Sequence, residues 1–193
     1  MKFHPKYLLF GAIFVALILG YYYYLTNRNV KTVEDQSDLS EVEKVITENL
    51  DKNYPATPRE VVKFYTTIQQ CYYNEDYSEK QLEQMAEQAE KLFDEELVQN
   101  NPIDQYLRSL RTEIAAWRND GKTLNVTLPD SKDVKYEEVN GRDSASLICI
   151  YYVRQGASYE ASQQAFVLRK DEDGRWKILG WTLVTPSEEG QNP

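Results

Sequence analysis

The chain has 193 residues, of which 41% are hydrophobic, and its 31 acidic and 22 basic side chains give a net charge of −9. This composition fits one globular domain plus one apolar segment. It disfavours nucleic acid as a partner, because phosphates would repel an acidic chain that has no Lys/Arg cluster. Cys71 and Cys149 are too few for a disulfide framework and lack metal-binding spacing, so we expect no metal and no cofactor. Both fit small core positions, although a bridge between them stays open.

The stretch Tyr7–Leu25 has no charged residue and is the most apolar part of the chain. As a helix it would be about 28 Å long, close to the hydrocarbon thickness of a bilayer. Tyr21 to Tyr24 would lie at headgroup depth. A cleaved signal peptide is the alternative, since Lys2 and Lys6 supply a basic start, but the small residues of a cleavage site are missing. We therefore predict an uncleaved transmembrane helix.

The orientation of this helix depends on a nearly balanced set of flanking charges. Lys2 and Lys6 precede it, and Arg28 and Lys31 follow it. Acidic residues count for little in the positive-inside rule. We expect residues 1–6 to form a cytoplasmic tail and the C-terminal domain to lie outside, as in a single-pass, integral protein of the cell membrane.

Residues 26–57 are predicted to form an acidic stalk. Ser40 and Glu43 have the spacing of a capping box, which favours a short helix over Ser40–Asn49. The apolar residues of that helix share one face, namely Val42, Val45, Ile46 and Leu50. The helix either docks on the folded domain through this face or belongs to a solvated spacer.

Three amphipathic helices are predicted next, beginning near Pro58, Ser78 and Ile103. Thr57 before Pro58 is a favourable helix start. The second helix is expected to run to Asn100, with its glutamates on a solvated face. Residues at helical spacing form apolar stripes, which include Tyr65, Tyr72 and Trp117.

After Gly121 the apolar residues recur with a period of two, which predicts strands. The strand around Cys149 has a second apolar face, formed by Ile148, Ile150 and Tyr152, so we expect it to be central and covered on both sides. Asp171–Gly174 is interpreted as a hairpin turn and not as a calcium loop. Gly180 indicates a bulge in the last strand, and residues 185–193 are expected to be a disordered tail.

Helices followed by antiparallel strands predict an α+β fold, with an N-terminal transmembrane helix and then three helices packed on a curved, cone-like sheet. The segments PREVVKFYTTIQQCYYNED and DEDGRWKILGW resemble the nuclear transport factor 2-like (cystatin-like α+β) superfamily, which implies such a domain at residues 58–184. NYPATPREVVKFY and YVRQG are also similar to a group of membrane-anchored clostridial proteins of unknown function. The superfamily includes enzymes and non-catalytic modules, so the resemblance implies a fold and no particular activity.

No residue constellation indicates a reaction. The single histidine, His4, precedes the anchor, and the serines and cysteines have no identifiable base. Glu160 is a lone strand carboxylate. We therefore predict a non-catalytic extracytoplasmic domain that binds a protein partner or a small ligand. The candidate contact residues are Tyr65, Tyr72, Trp117, Tyr151, Trp176, Ile148, Ile150 and Tyr152.

Two alternatives stay open. An enzyme would bury at least two titratable groups, such as a carboxylate and a tyrosine, in contact inside the cone. A structural component of a membrane or envelope assembly would instead expose an apolar sheet face built from Ile148, Ile150 and Tyr152. A second copy could cover that face and form a homodimer. A non-catalytic scaffold would pack the aromatic residues Tyr65, Tyr72, Trp117, Tyr151 and Trp176 on each other.

Overall fold

The computed structural model describes residues 39–184, in which helices precede an antiparallel sheet. The helices are α1 (Glu41–Thr47), α2 (Pro58–Asn74), α3 (Glu79–Leu92), α4 (Glu95–Asn100) and α5 (Ile103–Asn119). The strands are β1 (Lys122–Thr127), β2 (Lys135–Val139), β3 (Arg142–Gln155), β4 (Ser158–Lys170) and β5 (Trp176–Leu183). The predicted α+β fold class is confirmed.

The predicted anchor at Tyr7–Leu25, the tail at 1–6 and the C-terminal tail at 185–193 lie outside the described residues. Between residues 39 and 184, no helix has the length and apolar character needed to cross a bilayer.

Helix α1 is part of the folded domain. Its capping box is present, with the Glu43 N–H donating to Ser40 Oγ at 3.2 Å and the Ser40 N–H donating to Glu43 Oε2 at 2.8 Å. The apolar face is almost fully covered, each residue being 1% exposed, namely Val42, Val45 and Leu50. Gln88 of α3 donates to the carbonyl of Glu48 at 2.9 Å. Of the two alternatives for this segment, the docked helix is the observed one, and the folded unit starts at Ser40, ahead of Pro58.

The long helix expected from Ser78 to Asn100 is interrupted, which corrects the sequence prediction. The chain leaves the helix at Phe93, which forms a parallel bridge with Ile178 of β5. The Asp94 N–H donates to the Ile178 carbonyl at 2.8 Å, and the Asp94 side chain then caps α4. Pairing with the edge of β5 therefore outweighs continuation of the helix.

The sheet has the strand order β1-β3-β4-β5, and β2 pairs with the first part of β3. All pairs are antiparallel, and β3 lies between β1 and β4, which confirms that it is central. Val167 pairs with Gly180 and Leu168 with Ile178, so Leu179 is the extra residue of a bulge in β5. The bulge predicted from Gly180 is confirmed.

The two faces of β3 differ in burial. Its inner residues pack under the helices, and these are Ala145, Leu147, Cys149 and Tyr151. On the outer face Ile148 is 44% exposed, whereas Ile150 and Tyr152 are half-buried. The expectation that both sides of β3 are covered is therefore wrong for the outer face. Both cysteines are buried and unpaired in the described domain, and burial raises the pKa of each thiol to about 12. They are core residues and not a bridge.

The Asp171–Gly174 segment forms the hairpin turn between β4 and β5. Gly174 has φ of 75°, in the left-handed region that glycine tolerates best, and its N–H donates to the Asp171 carbonyl at 3.0 Å. The Asp171 side chain accepts from the Arg175 N–H at 2.8 Å. The turn interpretation is confirmed.

Candidate functional site

Four of the aromatic residues singled out in the sequence line one cavity of about 250 Å³, namely Tyr65, Tyr72, Trp117 and Tyr151. Trp176 lies outside this cavity and packs on Tyr136, with ring centroids 5.8 Å apart. Ile148, Ile150 and Tyr152 lie on the opposite face of the sheet. The structure therefore divides the predicted contact residues between a cavity under the helices, an outer sheet face and a separate aromatic pair.

The cavity lies between two helices and the inner face of the sheet. Helix α2 contributes Tyr65, Gln69, Tyr72 and Tyr73, and helix α5 contributes Tyr106, Leu110, Glu113 and Trp117. These spacings of three and four residues place each set on one face of its helix. The strands contribute Leu124, Tyr151, Val153, Ser162, Gln164 and Trp181.

Sequence reasoning missed several cavity residues, and Trp181 shows why. Alternation continued from Trp176 and Ile178 would place Trp181 on the outer face. The bulge at Leu179 reverses the phase, so Trp181 pairs with the buried Phe166 and lies 5.3 Å from the Tyr65 ring, centroid to centroid. The signal in the sequence is Gly180, because a bulge beside it moves the residues that follow to the other face of the sheet.

Some polar atoms of the cavity are paired with each other. The Tyr151 hydroxyl donates to Gln69 Oε1 at 2.7 Å, and the Tyr73 hydroxyl donates to Glu113 Oε1 at 2.6 Å. Glu113, which accepts the bond from Tyr73, is exposed. These bonds connect α2 with β3 and α2 with α5.

Other polar atoms of the cavity are buried and have no partner. Trp117 Nε1, Gln164 Oε1 and the Tyr72 hydroxyl find none among residues 39–184. Tyr106 interacts with Tyr72 and contributes, after burial, to the raised pKa of Tyr72. Because buried polar groups are nearly always hydrogen-bonded, such a cluster marks a place where water or a ligand completes the bonding.

The cavity tyrosines remain protonated at physiological pH. Burial raises the pKa of Tyr106 to about 12, and it raises the pKa of Tyr65, Tyr72 and Tyr151 well above the usual value of a phenol. For Tyr73, burial and then the hydrogen bond to Glu113 raise the pKa. Each phenol therefore keeps its O–H donor.

A larger cleft of about 850 Å³ lies elsewhere, where α4 meets the ends of β3, β4 and β5. Its main charges are already paired. Arg169 makes two hydrogen bonds to Asp94, at 2.7 and 2.5 Å, and Lys170 bonds Asp143 at 2.7 Å. Burial acts to raise the pKa of Asp94, but the hydrogen bonds from Arg169 and the Glu96 N–H, together with the charges of Arg169 and Arg142, lower it overall. This cleft is stabilised by its own ion pairs, which the sequence did not indicate.

The outer face of β3 and β4 is apolar and partly solvent-exposed. Ile148 is 44% exposed and Val167 is 39% exposed. Tyr152 stacks on Tyr159, with centroids 5.4 Å apart, near the β3–β4 turn. Glu160 is exposed and does not line the cavity.

Comparison with known proteins gives a family without a known activity. No curated protein matches the chain. One similar solved structure is the NMR structure of a protein provisionally described as the transfer protein TraH of the Gram-positive conjugative plasmid pIP501. It is 13% identical, the match covers 68% of this chain and 94% of that one, and the TM-score is 0.38. Residues 1–181 match a family described as a domain of unknown function, DUF6715. The chain belongs to the DUF6715 family.

Proposed function

We propose that this protein is a membrane-tethered, extracytoplasmic, non-catalytic domain that binds a small ligand in the cavity between α2, α5 and the sheet. The observation that carries the proposal is the set of three buried, unpartnered polar atoms on Trp117, Gln164 and Tyr72 in the described domain. An unpaired buried group costs about 1–3 kcal/mol. If the cavity were only a gap in the packing of the core, we would expect its polar atoms to be paired and this cost to be avoided.

A nuclear transport factor 2-like fold, with a curved sheet around α2, is part of the proposal. The order of helices and strands supports it, as does the bulge at Leu179, because bulges bend the strands that contain them. In such a fold the inner face of the sheet and the first long helix enclose the cavity.

The absence of catalysis is proposed on chemical grounds. Tyr73 and Glu113 form the pair that an enzyme would use, with 2.6 Å between their oxygens. An acid or base works best with a pKa near the operating pH, and the pKa of Tyr73 is raised far above it. This supports a role for Tyr73 in binding and positioning.

The tether is proposed from the uncharged segment Tyr7–Leu25 and its border of tyrosines. Protease treatment of intact protoplasts tests the orientation. We expect digestion of the C-terminal domain without lysis, and survival of the domain until lysis would contradict an extracytoplasmic location.

Ligand binding is tested by native mass spectrometry of the full chain extracted from its membrane. We expect a bound small molecule in the wild type and its loss in Gln164→Met, which keeps the side-chain volume but removes the amide. Gln163→Met is the matched control, because Gln163 is exposed and pairs with Ile150 of the outer face. Equal occupancy in both variants, or no bound molecule in the wild type, would contradict the proposal.

A second candidate function is assembly through the outer face of the sheet, with a second copy as the partner. The exposed apolar residues Ile148 and Val167 favour it. Sedimentation at micromolar concentration should then show a dimer that Ile148→Lys or Ile150→Lys dissociates while the circular dichroism spectrum is unchanged. A wild-type monomer would contradict this candidate.

A further inference from the structure

The charge and ring content of the cavity restrict the chemistry of its ligand. Among its described lining residues, Glu113 is the one ionised side chain, and no Lys, Arg or His contributes to the wall. Seven aromatic rings line the cavity, and these belong to Tyr65, Tyr72, Tyr73, Tyr106, Trp117, Tyr151 and Trp181. Aromatic faces carry negative potential, so the rings and the Glu113 carboxylate both favour a positively charged ligand.

The size of the cavity restricts the ligand further. A volume of about 250 Å³ corresponds to about eight waters at roughly 30 Å³ each. This space suits a compact metabolite and is too small for a folded segment of another protein.

The unpartnered atoms indicate where the ligand is hydrogen-bonded. In the described domain, Trp117 Nε1 has a donor to offer and Gln164 Oε1 has an acceptor to offer. A ligand hydroxyl can accept from the indole and can donate to the amide oxygen, so it suits either atom. The Tyr73 bond engages Glu113 Oε1, and the carboxylate supplies the negative charge beside the rings.

We propose that the cavity binds a compact organic ammonium ion that carries a hydroxyl or a similar hydrogen-bonding group. The ammonium group lies over aromatic faces near Glu113, and the hydroxyl pairs with Trp117 Nε1 or Gln164 Oε1. This inference rests on the proposed function, because it names the ligand class of the same site.

A neighbouring lysine does not oppose this assignment. The Lys122 ammonium lies 5.8 Å from the Trp117 ring centroid, which places a cation beside a cavity ring. Lys122 pairs with Asp120 at 2.6 Å, so its charge is largely balanced, and it is not a lining residue. The paired Lys122 therefore repels a cation in the cavity only weakly.

Choline and dimethylbutanol, its uncharged carbon isostere, test the proposal. The full chain in a maltoside detergent is titrated with each compound while tryptophan emission is recorded. The titrations use the variant Trp176→Phe, which lacks the tryptophan outside the cavity. The emission then comes from Trp117 and Trp181, which line the cavity. We expect choline to bind at least about tenfold more tightly than the isostere.

The variant Glu113→Gln separates charge from shape. We expect the loss of Coulomb attraction to weaken choline binding by up to about fivefold and to leave isostere binding unchanged. Asp104→Asn is the control, since Asp104 lies on the same helix but outside the cavity wall. This variant should still bind choline more tightly than the isostere.

Two results would overturn the ligand class. One is binding of the isostere as tightly as choline, and the other is no emission change with choline at millimolar concentration. Neither result affects the proposed function, because native mass spectrometry detects a bound molecule whatever its charge. The two proposals can therefore fail separately. If the bound mass is lost only in Gln164→Met and choline gives no response, the ammonium ligand is refuted and the proposed ligand site is not.

Discussion

Tyr72 and Tyr151 of the cavity differ in whether their hydroxyl groups are hydrogen-bonded, and this difference gives a testable prediction. Tyr151 donates to Gln69 Oε1 at 2.7 Å, whereas the Tyr72 hydroxyl has no partner among the described residues and its side chain is 1% exposed. The same substitution to phenylalanine should therefore change stability in opposite directions at the two positions.

The magnitudes follow from the hydrogen bonding. Tyr151→Phe loses one bond and leaves Gln69 with an unpaired acceptor, so we expect a loss of about 1 kcal/mol in the free energy of unfolding. Tyr72→Phe removes a buried hydroxyl that has no partner, so we expect a gain of about 1 kcal/mol. The two variants should therefore differ by about 2 kcal/mol in the absence of ligand.

Urea unfolding of ligand-free protein, followed by circular dichroism, measures both changes. The denaturant slope must be equal in wild type and variants for the comparison to hold. Destabilisation by Tyr72→Phe as large as that by Tyr151→Phe would refute the reasoning, because it would mean that Tyr106 satisfies the Tyr72 hydroxyl. In that case the double variant Tyr72→Phe/Tyr106→Phe should show strong coupling.

Other predictions concern the domain as a whole. Removing residues 39–57 should lower the unfolding free energy of the domain by at least about 4 kcal/mol in thermal melts, since it uncovers the core that α1 and Leu50 complete. Asp94→Asn should cost about 2 kcal/mol in urea unfolding, because it leaves Arg169 with a weaker partner, whereas the exposed Asp143→Asn should cost below about 0.5 kcal/mol. The folded-state pKa of Asp94 is lowered, so its contribution is complete above the unfolded pKa of about 3.9 and is lost as the pH falls through the folded value. The difference between wild type and Asp94→Asn should therefore narrow below about pH 4.

Periodicity predicted the parts of the fold that depend on one face of one element. The inward positions of α2 and β3, including Tyr65, Tyr72 and Tyr151, follow from spacings of three to four and of two. The capping box of Ser40 and Glu43 likewise depends on residues three positions apart, and Thr57 before Pro58 predicted the start of α2.

Features that depend on contacts between residues distant in the sequence could not be predicted from residue spacing. Asp94 and Arg169 meet only because the chain leaves α3 to bridge β5. Trp181 faces the cavity only because the bulge reverses the phase of β5. The unpartnered atoms of Trp117 and Gln164 emerge only when the fold brings α5 and β4 to the wall of one cavity.

Indole nitrogens give the most direct test of the central claim that the cavity is the ligand site. The chain has three tryptophans, of which Trp117 and Trp181 line the cavity and Trp176 does not. A two-dimensional proton–nitrogen spectrum of the full chain should be recorded before and after addition of a small-molecule extract of the cells that make the protein. We predict that the Trp117 and Trp181 indole signals shift while that of Trp176 stays in place. A shift of the Trp176 signal alone, or of none of the three, would contradict the account.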